Sequence, residues 1–410
     1  MRKIFIILFT GCFIGWSATA LQAQATVSGR VVDKETGKPL VGANVYLSGT
    51  TVGTATNLSG VYLMRPVPPG GYRLVVSRIG YATRITDLVI GPGESREINT
   101  ELKPVVYQLP EIYVGDLNEK WEKNLQQFIN HFVGETPWAD SVEIINPEVL
   151  RFDKSWWGRL TAEALAPLQI ENKALGYRIT YHLKEFKYSG GRTRWDGEPL
   201  FTEMSPANSI QAAYWKENRK KAFFGSLRHF LLATLDDRLD KEGFIVSSMQ
   251  EPAYGFASPK RTTTSADRLI SEGDEPYLYK MNFFDRLEIL YRNEEEDPGY
   301  VRWRKKRRGA ANMQTSYLEL NEHPVTVDSD GEIIQPYGAT QLGYFSYIRL
   351  THLTPRQYRP EDWNCNKKVD SELRVIMRLF VFGLLTILPS APGSGSPGLN
   401  AGVYDCTRYR

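Results

Sequence analysis

The sequence predicts an α+β multidomain protein: an all-β sandwich of short strands at the N-terminus, followed by a mixed α+β domain. Three observations carry this prediction. From Thr26 to Lys103, Gly and Pro interrupt every apolar run, with turns roughly every 8–12 residues, which leaves room for short strands and none for helices. Beyond Asp116 the apolar spacing lengthens from two to the three-and-four steps of a helix. Later segments switch between the two periods. The 410 residues are 42% apolar and 12% aromatic with a net charge of +3, so the chain can fill cores of normal size and is not a disordered type.

Residues 1–23 read as a signal peptide. Arg2 and Lys3 make a basic start, Ile4–Trp16 is almost wholly apolar, and Leu21-Gln22-Ala23 or Ala23-Gln24-Ala25 offers the small residues of a cleavage site. The apolar run falls short of the roughly 20 residues that span a bilayer, so cleavage is expected in place of an anchor. Phe9-Thr10-Gly11-Cys12 loosely resembles a lipobox, and a lipoprotein is the alternative. Cleavage would leave Cys365 and Cys406, which an oxidising compartment allows to pair; the sequence does not show whether they do. Export and a near-zero net charge both argue against a nucleic-acid partner.

Residues 25–103 form the first domain. Val27, Gly29 and Val31 alternate before a turn at Asp33–Gly37. Ala43, Val45 and Leu47 share one face, and Asn57-Leu58-Ser59-Gly60 turns into Val61–Met64. Pro68-Pro69-Gly70-Gly71 turns into Tyr72, Leu74 and Val76, which alternate with Arg73, Val75 and Ser77. Gly29–Asp33, Thr36–Leu40, Gly42–Val45, Asn57–Tyr62, Pro69–Leu74 and Gly80-Tyr81 together resemble the carboxypeptidase regulatory-like domain. The resemblance implies a seven-stranded antiparallel β-sandwich, transthyretin-like, of the kind found at the N-terminus of Bacteroidetes-type envelope proteins. Asn57 stands where that family usually has Asp.

The resemblance also raises two activities that the residues do not favour. His182-Leu-Lys-Glu185 has the His-x-x-Glu form of a zinc carboxypeptidase, with His323 downstream. Tyr177–Leu183 alternates like a strand, however, which would send His182 and Glu185 to opposite faces. TonB-dependent receptors often begin with this domain, and Leu109–Val114 resembles the strand entering their plug. A barrel of about 22 strands needs more chain than follows Val114, so a large receptor is not expected.

Residues 104–116 read as a linker and 117–360 as the α+β domain. Leu117, Trp121, Leu125, Phe128 and Phe132 give one apolar stripe on a helix capped by Asp116, with Gly134 at its end. Leu175–Lys187 reads as a strand, with Ser189-Gly190-Gly191 as the turn out of it. Ser205-Pro206 is expected to start a helix running to about Lys241 with a break at Gly225-Ser226, and Phe244–Met249 as strand. Asp328-Ser-Asp-Gly331 should turn a hairpin between 324–327 and 332–335. His131 is expected at the surface or a boundary, and His229 packed and hydrogen-bonded. The stretch around 167–186, with 215–244, resembles the C-terminal portion of Bacteroidetes proteins carrying the same first domain; it implies no chemistry.

Glu294–Asp297 precede Arg302, Arg304, Lys305, Lys306, Arg307 and Arg308, which read as a solvated hairpin or loop whose basic half is a candidate patch for anionic headgroups or an acidic partner. Trp156-Trp157 and Trp195 would stack on sugars if exposed; packing is the expectation. Residues 361–410 read as a tail: Val375–Leu388 is too short to span a membrane, and 390–398 is a Pro/Gly/Ser linker. Five scattered His and no nucleophile, metal or phosphate constellation nominate no catalytic, metal or cofactor-binding residue. The expectation is a non-catalytic envelope protein, in the periplasm or at the outer membrane or cell surface, that binds an envelope protein or glycan, with peripheral membrane contact. The alternatives are a hydrolase whose site is assembled from distant residues and an accessory of an outer-membrane uptake system.

Overall fold

Alternation in β1 (Ala25–Asp33) buries Ala25, Val27 and Val31 and turns Arg30 outward. The computed structural model describes residues 25–105, 116–250, 258–305 and 309–363. The signal peptide, most of the linker, Lys306, Arg307, Arg308, Cys365, Cys406 and the rest of the tail lie outside the described residues.

The first domain continues with β2 (Asn44–Leu47), β3 (Gly53–Ala55), β4 (Val61–Val67), β5 (Gly70–Ser77), β6 (Arg84–Ile90), β7 (Ser95–Glu97) and β8 (Thr100–Leu102). One sheet is β4-β1 with β7 and β8, and the other is β3-β2-β5-β6. Their inner faces meet in a core of Val27, Val31, Val45, Leu47, Tyr62, Leu74, Val76 and Ile90. Two details differ from the expected seven antiparallel strands. β7 and β8 pair parallel to β1, and they are one run interrupted at Ile98-Asn99, where the Asn99 side chain accepts the Arg30 N–H at 2.7 Å in place of backbone. Gly29 is fixed by the same crossing: a Cβ there would stand 2.0 Å from the Ile98 carbonyl oxygen. Asn57 makes its turn with the oxygen it shares with Asp, accepting from Ser59 and Val61 N–H at 2.9 and 3.0 Å.

The second body opens with α1 (Asp116–Phe132). It lies on a six-stranded sheet of β9 (Val142–Ile144), β10 (Leu150–Lys154), β11 (Leu160–Ala164), β12 (Leu168–Asn172), β13 (Tyr177–Ser189) and β14 (Arg192–Glu203). Phe128 and Phe132, both fully buried, carry the expected stripe onto Phe186, Phe152 and Tyr181. β13 and β14 form a long hairpin through Gly190 and Gly191, whose φ of +56° and +76° suits glycine.

α2 (Ser209–Phe223) is capped by Asn208, three residues after Ser205, because the Asn208 side chain accepts from Gln211 N–H. α3 (Leu227–Leu235) follows the expected break at Gly225-Ser226 and ends six residues before Lys241, as Asp237 turns to φ +52°. Then come β15 (Phe244–Gln250), β16 (Lys260–Thr263), α4 (Ala266–Leu269), β17 (Ile270–Glu272), β18 (Leu278–Met281), β19 (Arg286–Tyr291), α5 (Pro298–Trp303), β20 (Gln314–Leu320), β21 (Val325–Asp328) and β22 (Ala339–Gly343). They form the sheets β16-β15-β19-β20-β22 and β17-β18-β21, which pack with α3 around Phe230, Phe244, Ile289 and Leu318. Trp363, 1% exposed, belongs to this core, so the domain runs past residue 360. No helix among the described residues is long and apolar enough to cross a membrane.

Candidate functional site

β5 buries seven of its eight residues, although a strand with one wet face should bury every second one. Tyr72, Leu74 and Val76 enter the sandwich core. On the face the sequence leaves outward, Gly71 lies against Leu278 and Ser77 against His182 of the second body, and Val75 between them is fully buried. The joint between the two bodies is therefore the site at which polar and ionisable groups converge, and it has two halves.

In the first half β14 runs against β2 and β5. Gly49 N–H donates to the Pro199 carbonyl at 2.7 Å, and Phe201 N–H to the Thr50 carbonyl at 2.9 Å, so the β2–β3 turn adds a short parallel pairing to β14. Tyr46 donates its hydroxyl to the Glu198 carbonyl at 3.0 Å. The fully buried Glu198 carboxylate receives Arg73 from the sandwich at 3.3 Å and Lys184 from β13 at 2.5 Å. His182 lies against Tyr46, with Nε2 3.2 Å from Ser77 Oγ, and burial pushes its imidazole down to about 4.

In the second half Arg356, 7% exposed, reaches across the joint. Its Nη2 donates to the Gly71 carbonyl at 2.9 Å and pairs with the Asp328 carboxylate, while its N–H donates to the Gly49 carbonyl at 2.7 Å. Its guanidinium stands 5.3 Å from the Tyr72 ring centre. Gly49 is required here: φ is +75°, and a Cβ would come 2.5 Å from Arg356 Cδ. Asp328 is held by its own turn, accepting from Asp330 and Glu332 N–H at 2.8 and 3.1 Å. Burial pushes Asp328 up to about 7, the Arg356 charge opposing that rise. Neither half is visible in the sequence, because Arg356 and Gly71 are 285 residues apart. The turn motif Asp328–Gly331 was the one signal, and it pointed to a hairpin only.

The other sequence candidates scatter. Glu185 does not join His182; it accepts from Tyr337 at 2.7 Å, across a bulge that separates it from Leu183. His131 stacks on Tyr188 at 3.8 Å, and His323 on Phe284 at 4.8 Å. His229 is fully buried, accepting from Gly225 N–H at 3.1 Å and lying 3.3 Å from Glu242, which also pairs with Arg238. Among the described residues no three His, Cys, Asp or Glu are placed to hold a metal ion.

Of the basic run, Arg302 lies in a short helix and Arg304 and Lys305 in the turn that follows it, while Lys306, Arg307 and Arg308 lie outside the described residues. Pro298–Trp303 forms α5, because Asp297 caps it and Pro298 suits its first turn. Arg304 is not free for a partner: it makes two bonds, 3.0 and 3.1 Å, to the buried Glu296. Arg302 and Lys305 are exposed. Trp195 packs, half-buried, on Phe132. Trp156 and Trp157 do not pack; they are 92% and 58% exposed on the β10–β11 turn. A groove of about 900 Å³ on the sandwich is lined by Arg30, Lys34, Arg84, Glu97 and Glu101, with neither sign dominant.

Residues 27–114 match the CarboxypepD_reg-like domain. Two curated relatives align with the chain. TonB-dependent receptor SusC of Bacteroides thetaiotaomicron is 42% identical over 81 residues, 20% of this chain and 8% of that one. TonB-dependent receptor P39 of Formosa agariphila is 37% identical over 109 residues, 26% of this chain and 10% of that one. The chain thus spans about a tenth or less of the length of these receptors. Among solved structures, 5-hydroxyisourate hydrolase of Klebsiella pneumoniae is 24% identical over 20% of this chain and 94% of its own, with a TM-score of 0.18. The regulatory-like domain in this chain is thus joined to the second body through β2, β5 and the β2–β3 turn.

Proposed function

We propose that the chain is a non-catalytic cell-envelope protein in which the regulatory-like domain is a fixed part of a larger body that serves in binding or assembly. The supporting observation is the joint. β5 is buried on both faces, Arg73 pairs across the joint with Glu198, and Arg356, itself paired with Asp328, donates to the Gly71 carbonyl, which together hold the domain in one orientation. A domain held this way presents its remaining surfaces, including the face of β4, β1, β7 and β8, in register with those of the second body. The envelope assignment is supported by the domain match and by the likeness to receptor segments. The non-catalytic reading is supported by the separate packing of each histidine.

Affinity capture with the full chain from envelope extracts, beside turnover of peptide and glycan libraries, tests this reading. Recovery of a specific envelope partner supports it. Turnover of a library member without a recovered partner would overturn it. A second reading, an accessory of an uptake system, is favoured by the relatives' printed names; it requires a TonB-dependent receptor in the captured material.

A further inference from the structure

The turn between β10 and β11 is built by local rules and then loaded against them. Ser155 N–H donates to the Arg159 carbonyl at 2.9 Å, Gly158 N–H to the Ser155 carbonyl at 3.1 Å, and Arg159 N–H to Ser155 Oγ at 3.1 Å. Gly158 takes φ +87°. This is a three-residue hairpin loop closed by a left-handed glycine, whose two central positions normally carry small or polar residues. Here they are Trp156 and Trp157. Folding does not ask for them: the turn is closed by Ser155, Gly158 and backbone, and the indoles are 92% and 58% exposed.

We propose that this apex is a membrane foot, in which Trp156 and Trp157 seat in the headgroup region of a bilayer with anionic lipid and Lys154 and Arg159 meet its phosphates. The rings stand edge to face, 5.4 Å apart at 87°, so they form no continuous platform for a sugar chain. A ring 92% exposed also lacks the enclosing walls that bury a bound sugar. A bilayer interface asks for neither; it takes a protruding indole whose apolar body is buried while its N–H stays wet. The charge is complementary. Arg159 lies 5.3 Å from the Trp157 ring centre, and exposed Lys154 sits on the other strand, where its ammonium donates to Gln127 at 2.8 Å. Residues 154–159 contain no acid; Asp153 adjoins them, and Glu163 lies further along β11. Two indoles and two cations give reversible attachment, not permanent anchoring.

The inference deepens the envelope reading, which supplies the bilayer, and it is tested separately from it. The mature full chain is sedimented with vesicles of phosphatidylcholine alone and with 30% phosphatidylglycerol, using wild type, W156S/W157S and K154Q/R159Q. Wild type should partition onto the anionic vesicles, with tryptophan quenching by brominated lipid. The serine pair should weaken partitioning at least about tenfold. The charge pair should lose the preference for anionic vesicles. Equal binding by wild type and the serine pair, or no wild-type binding, overturns the foot while leaving the envelope reading standing. Retention on insoluble glycan that is lost only in the serine pair would overturn it in favour of a sugar site. Unchanged circular dichroism of both variants establishes that they fold.

Discussion

Arg356→Ala tests the buried ion pair at the joint, whose arginine also donates to the sandwich at the Gly71 carbonyl. The substitution removes the partner of Asp328, which is fully buried, together with the bond to the Gly71 carbonyl. Breaking one side of a buried ion pair costs about 3–5 kcal/mol, because the other charge stays out of water. The cost depends on pH in a fixed direction. Asp328 is lifted from its ordinary 3.8 to about 7 by burial. That lift is worth roughly 4 kcal/mol. A carboxyl raised on folding contributes stability that is complete below about pH 4 and lost as pH rises through about 7. Without Arg356 the folded-state value moves higher still, so the variant keeps losing stability above neutrality. At pH 5 both proteins hold Asp328 protonated, and the deficit should shrink to the roughly 1–2 kcal/mol of the lost hydrogen bond and packing on Tyr72. Urea unfolding at pH 5 and pH 8.5, followed by tryptophan fluorescence, measures both. Adding Asp328→Asn to the variant should recover the pH-dependent part, since Asn needs no counter-charge. A deficit equal at the two pH values, or no recovery in the double variant, would refute the reasoning.

Three further expectations follow from particular side chains. His182 is held neutral by burial to about pH 4, so its stability contribution is present above about 6.5 and lost as pH falls through about 4; its imidazole NMR shift should stay flat from pH 7.5 to 5, and a midpoint near 6.5 would contradict the packing against Tyr46. The basic run should divide into two classes. Arg304→Gln strands the buried Glu296 and should destabilise by about 3–5 kcal/mol, while Arg302→Gln and Lys305→Gln should each change stability by less than about 0.5 kcal/mol in the same urea titration. Gly176→Ala should cost about 2 kcal/mol or more, since φ is +70° and the new Cβ would lie 2.3 Å from Trp215 Cδ2; a melting temperature within 2 °C of wild type would show that α2 can shift away.

The parts of the fold legible in the sequence are those coded within a few residues. Asp33–Gly37 and Asn57–Gly60 close their turns with a side chain two to four residues away, α1 repeats its stripe every three or four positions, and Gly190-Gly191 fixes a hairpin by backbone freedom alone. The same local logic misjudged Trp156-Trp157. Apolar rings favour burial in general, and only the folded turn shows these two left 92% and 58% exposed. It also cast Arg304 as part of a surface patch, whereas α5 turns it onto Glu296.

The sequence alone determined which segments are strand or helix and which strand faces are apolar enough to build a core, because those depend on period and turn chemistry. Tertiary structure alone decided what happens on the second face of β5. Arg73, Val75 and Ser77 alternate as an outward row, and whether that row meets water or protein depends on β14 and Arg356, far along the chain. Burial there changed the chemistry of the groups involved: it made Glu198 and Asp328 depend on their cations and kept His182 uncharged. Desolvation is a property of the assembled interior, and no local pattern of residues encodes it.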